Sequence, residues 1–132
     1  MRERKVNNER RVFALMAILS LLSGLLIFFF THNGFLRNYA GDIVAVTFLY
    51  SLLRASLRPK ARTAAIVVFA AAALIEVLQA LVTLPHSAIT TLTLGSTFDP
   101  LDILTYLLTA LAVFLLDTMY GLLLQRSPKR LA

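Results

Sequence analysis

A chain of 132 residues that is 58% hydrophobic, with a mean hydropathy of +0.77, lies well outside the roughly half-apolar make-up of soluble domains. It reads as one all-α transmembrane domain over residues 1–132, because the segments between apolar runs are too short for a separate module. The net charge of +6 flanks those runs as a topology signal, which argues against nucleic acid as a partner; the lack of cysteine excludes disulfide, thiol-redox and thiolate-metal chemistry.

A polar head, Met1 to Arg11, carries Arg2, Arg4, Lys5, Arg10 and Arg11 and leads into Val12 to Phe30, nineteen residues without a charge. A spanning helix needs about 20 apolar residues, and a signal-peptide core has only about 7 to 15. With no small-residue cleavage site at Thr31-His32-Asn33-Gly34, an uncleaved first helix over about 11–31 is expected. Ser20, Ser23 and Gly24 offer a small-residue patch for another helix. Asn33-Gly34 marks a turn, and Phe35 to Gly41, with Arg37 and Tyr39, suits a connection at the membrane interface.

Asp42 opens the second helix, about 42–58, and is expected to cap it. Arg54 interrupts its apolar run, and Thr47, Tyr50 and Ser51 form a polar stripe suited to facing other helices. Arg58-Pro59-Lys60 ends it. The third helix, about 63–84, holds the alanine block Ala70 to Ala73, which favours close packing, followed by Glu76 and Gln79 on one face. Pro85-His86-Ser87 breaks that helix, and Ala88 to Leu94 is too short to span, leaving residues 86–98 as a surface or re-entrant segment. The fourth helix, about 100–125, places Asp102, Tyr106, Thr109, Asp117 and Tyr120 on one side.

With the first helix starting in the cytoplasm, twelve of the thirteen basic residues fall on that side and only Arg37 on the other. The positive-inside rule then sets both termini of a four-helix bundle in the cytoplasm, with Asp42, Glu76, Asp99 and Asp102 near the opposite face.

Asp99-Pro100-x-Asp102 has the form of a helix start, with Asp99 as N-cap, Pro100 in the first turn and Asp102 completing a capping box. Glu76 stands apart. About 12 Å by helical rise from the end at Leu84, it has no capping role within its own helix, and an intramembrane carboxylate costs a few kcal/mol unless paired, protonated or facing water. It either ties its helix to Tyr106 and the loop or belongs to a ligand site. Arg54 and Asp117 are expected to form a structural ion pair. His32 and His86 have no metal-ligand spacing, so neither a metal nor a cofactor is assigned. Nucleophile elbows, phosphate-binding glycine loops and zinc motifs are missing from the sequence.

Gly41-Asp42, Glu76-x-x-Gln79 and Leu94-Gly95-Ser96-Thr97-Phe98-Asp99-x-x-Asp102, in that order between Arg37 and Tyr106, resemble a small bacterial membrane family of unknown function, some of whose members carry a YjgA-type ribosome-maturation label. The same order resembles the VanZ-like proteins, which are associated with low-level glycopeptide resistance. The resemblance implies a multi-pass protein of the bacterial inner membrane and supports the choice of Asp42, Glu76, Gln79, Asp99, Asp102 and Tyr106 as site residues.

The primary expectation is an acidic pocket near the extracytoplasmic face that holds a cation or a polar lipid or envelope ligand. The alternatives are a structural or assembly subunit, with a protein partner or a second copy, and a membrane enzyme acting on a lipid-linked substrate.

Overall fold

The computed structural model describes residues 2–81 and 99–126. The expectations for Pro85 to Leu94, for the start of the Leu94 to Asp102 stretch and for the end of the tail lie outside those residues. Among the described residues the chain is all-helical: α1 (Arg2–Phe30), α2 (Gly34–Ser56), α3 (Ala61–Leu81) and α4 (Pro100–Arg126).

Two helices start earlier than expected. The polar head is helical, since Arg, Glu and Lys are good helix formers and neither glycine nor proline interrupts residues 2–12. At 29 residues, about 43 Å by helical rise, α1 exceeds the roughly 30 Å hydrocarbon layer, so its basic first turns extend beyond it. The second correction concerns Asp42. α2 starts at Gly34 because Asn33 caps it, the Asn33 Oδ1 accepting from the Leu36 N–H at 3.2 Å. Asp42 therefore lies inside α2, where it caps nothing. An Asn33→Ala variant should lose about 1 kcal/mol of stability; an unchanged unfolding midpoint in detergent would count against this cap.

α2 ends at the C-cap Leu57, whose N–H donates to the Leu53 carbonyl at 3.0 Å. Arg58 follows with φ of 54°, the left-handed position that glycine usually fills after a helix, and Pro59 prevents continuation.

α2 packs along α1 on one side and against α3 and α4 on the other, while α3 and α4 pack on each other. Among the described helices, the one that is not by itself long and apolar enough to span is thus the central one. Its buried face, Val46, Tyr50, Ser51 and Ala55, meets a core that includes Phe13, Ala64, Val68, Ala110 and Val113. On α3 the buried positions recur every fourth residue, Ala64, Val68, Ala72 and Glu76, so the alanine block contributes only Ala72 to the interior. Across the α1–α2 contact, a Cβ on Gly24 would stand 3.3 Å from Val44 Cγ1; here the lack of a side chain sets the approach of the two helices. Near it a shallow groove of about 260 Å³ is lined by Met16, Leu19, Ser20, Ser23, Val44 and Thr47. Leucines and phenylalanines around α1, α3 and α4 remain exposed, among them Leu26, Phe30, Leu74 and Leu116, as lipid-facing surface requires.

Candidate functional site

Polar side chains gather at opposite ends of this packing. At one end α2, α3 and α4 bring together Asp42, Glu76, Asp99, Asp102, Tyr39 and Tyr106. Glu76 is 1% exposed and is not left bare: its Oε1 accepts from the Asp99 backbone N–H at 2.9 Å and its Oε2 from the Tyr106 hydroxyl at 3.3 Å. Asp99 caps α4 through its Oδ1, which accepts from the Leu101 N–H at 2.9 Å. In a local capping box, Asp102 would accept from the Asp99 N–H. Glu76 accepts it instead, so the second half of the box comes from another helix. Glu76 therefore does cap a helix, in trans, and its carboxyl sits near the positive end of the α4 dipole.

Freed from that duty, Asp102 turns toward α2, where its carboxyl lies within hydrogen-bonding reach of Asp42. The Tyr106 hydroxyl, which donates to Glu76, also lies near Asp42, and the Asp42 Oδ2 is buried with no hydrogen-bond partner. Tyr39 donates to Asp99 Oδ2 at 3.4 Å and packs its ring on Phe35. Tyr39 lies ahead of the apolar run of α2, and partial burial first and the Asp99 carboxylate second push its phenol above the usual tyrosine range. Gln79 lies one turn beyond Glu76 on α3, half-buried. Arg37, the basic residue nearest this end in sequence, rests over the Phe28 ring at 5.9 Å and makes no ion pair among the described residues. No group of three or more acidic or histidine residues among the described residues is arranged to hold a metal ion.

At the other end Arg54 and Asp117 form a fork: Arg54 Nε donates to Asp117 Oδ2 at 2.7 Å and Nη2 to Oδ1 at 3.0 Å. The Tyr50 hydroxyl donates to the same Oδ2 at 2.5 Å. The remaining guanidinium nitrogen, Nη1, donates to the Pro59 carbonyl at 2.6 Å, and the group stacks over the Phe13 ring at 4.8 Å. Four parts of the chain thus meet at one cation. The donors from Tyr50, Pro59's role as acceptor and the Phe13 ring were not among the site residues read from sequence; the spacing Tyr50-x-x-x-Arg54, one helical turn, was the available signal for Tyr50.

Three of the helices are long and apolar enough to cross a membrane, Arg4–Phe30, Ala61–Leu81 and Pro100–Leu124. With the polar residues collected inside and leucine outside, the class is that of an all-helical membrane protein. The chain belongs to a family of unknown function, DUF2809, whose model matches residues 31–110. That range contains the whole acidic group and Arg54 but neither Asp117 nor any of α1. No curated protein and no solved structure matches the chain.

Proposed function

We propose that this protein is a multi-pass bundle of the bacterial inner membrane, both termini cytoplasmic, whose acidic end opens at the extracytoplasmic face and binds a cationic group of a lipid or envelope ligand. One observation carries the reading. The Asp42 Oδ2 is buried without a donor beside the Asp102 carboxyl, and no lysine or arginine among the described residues pairs with either. Two carboxyl groups in such reach do not both keep their charge unless a proton or a cation lies between them. An amine fits better than a metal ion here, because the carboxyls are spread over three helices and two of them, Asp99 and Glu76, already accept from tyrosine hydroxyls. The likeness of the Glu76-x-x-Gln79 and Asp99-x-x-Asp102 motifs to VanZ-like proteins supports an envelope setting.

The test uses purified protein in nanodiscs, with ethanolamine phospholipid against choline phospholipid as probes and sodium and magnesium as further arms. Wild type is expected to select the primary-amine headgroup, and Asp42→Asn with Asp102→Asn to weaken that selection by at least about tenfold, which corresponds to about 1.4 kcal/mol. Full retention of amine selection by a folded double variant would sink the proposal. A reporter after Ala132 that proves extracytoplasmic would overturn the topology.

A second reading has its own support. Both Glu76 oxygens are used in joining α3 to α4, as an assembly subunit with a purely structural acidic network requires. On that reading Glu76→Gln lowers stability while amine selection is unchanged.

A further inference from the structure

The end of the protein opposite the acidic group carries a set of cations that make no ion pair among the described residues. Arg10 and Arg11 stand on α1 one turn before Phe13, and Arg58, Lys60 and Arg62 stand in and after the α2–α3 loop; all five are exposed. Phe13 and Pro59 both touch the Arg54 guanidinium, so the two groups lie at the same end. The one carboxylate buried there, Asp117, is consumed by Arg54 and Tyr50, and the Arg54–Asp117 pair is the one ion pair among the described residues.

Two features distinguish this loop from a run of basic residues scattered for topology alone. Arg54 Nη1 holds the Pro59 carbonyl from below, which pins the loop that carries Arg58 and Lys60. Arg58 also occupies a left-handed backbone position, φ 54°, where glycine is favoured and an arginine is disfavoured. Arg58, exposed on a pinned loop among cations that make no ion pair with the described residues, is available to an anionic group.

We propose that Arg58, Lys60 and Arg62, flanked by Arg10 and Arg11, form a binding surface for the phosphate of an anionic phospholipid in the leaflet at that end. The lipid is the occupant rather than a soluble phosphate because the apolar surfaces of α1 and α3 begin within two turns of these cations, at Leu15 and Ile66, and accept the acyl chains. The surface is independent of the acidic end, and neither reading stands or falls with the other.

The experiment places the full chain in nanodiscs of equal phosphatidylglycerol and phosphatidylcholine and measures which lipid co-purifies, by mass spectrometry. Wild type should enrich phosphatidylglycerol, and the Arg58→Gln, Lys60→Gln, Arg62→Gln triple variant should lose at least about tenfold of that preference, given roughly fivefold per basic residue near a membrane surface. Arg37→Gln, at the opposite end, should leave it unchanged. Arg58→Gly supplies a readout that a purely structural role would not give: it should raise the unfolding midpoint by relieving the left-handed arginine while lowering phosphatidylglycerol enrichment. Equal co-purification of both lipids by wild type, full preference in the triple variant, or displacement of the lipid by millimolar inorganic phosphate would each overturn the proposal.

Discussion

Replacing Asp117 with alanine should destabilise the fold by about 3–5 kcal/mol, the cost of removing one partner from a buried ion pair. The carboxylate side chain is only 5% exposed and that of Arg54 15%, so solvent does little to compensate the stranded guanidinium. The loss would spread. Arg54 also holds the Pro59 carbonyl and lies over Phe13, and the Tyr50 hydroxyl would lose its 2.5 Å acceptor. Arg54→Lys should recover only part of the stability, because an ammonium cannot make two parallel bonds to one carboxylate while reaching the Pro59 carbonyl. The double variant Arg54→Leu with Asp117→Leu should be more stable than Asp117→Ala alone, since apolar groups of similar volume leave no buried charge. Unfolding midpoints of the purified variants in one detergent decide this, and a wild-type midpoint for Asp117→Ala would refute it.

Glu76→Ala carries the second large effect. It removes the present acceptor of the Asp99 N–H and of the Tyr106 hydroxyl, both part-buried, at about 1 kcal/mol for each bond. Glu76→Gln keeps one carbonyl oxygen and should cost less, and Tyr106→Phe less again, because it deletes a donor and leaves the bond from the Asp99 N–H to Glu76 in place. Hydrogen exchange gives an independent signature. The Asp99 amide should exchange faster in Glu76→Ala than in wild type, while amides in the middle of α4 near Val113 should change little. If the Asp99 amide keeps its protection, the bond across the helices does not hold α4 in place.

These two sites show how differently the polar residues were legible. The start of α4 could be read closely from Asp99 and Pro100, since a cap is made by residues two or three apart. The same kind of reasoning misplaces Asp42, because an N-cap residue before an apolar run resembles an interior carboxylate, and the stronger cap at Asn33 lies nine residues upstream, ahead of a segment with a glycine at Gly41. The start of α1 was set too late for a related reason: hydropathy marks where the membrane begins, and helix propensity marks where the helix begins.

Helix number, the apolar surface and the concentration of positive charge at one end follow from the order of residues alone, because each depends on neighbours within a turn or two. The partners of Glu76, the approach of Asp42 to Asp102 and the four-part meeting at Arg54 depend instead on how far each helix is rotated and how the helices are staggered. Close packing around Ala64, Gly24 and Val46 sets those quantities, and no periodicity along the chain encodes them. Tertiary structure therefore decided that Glu76, the residue with no role in its own helix, completes the cap of another.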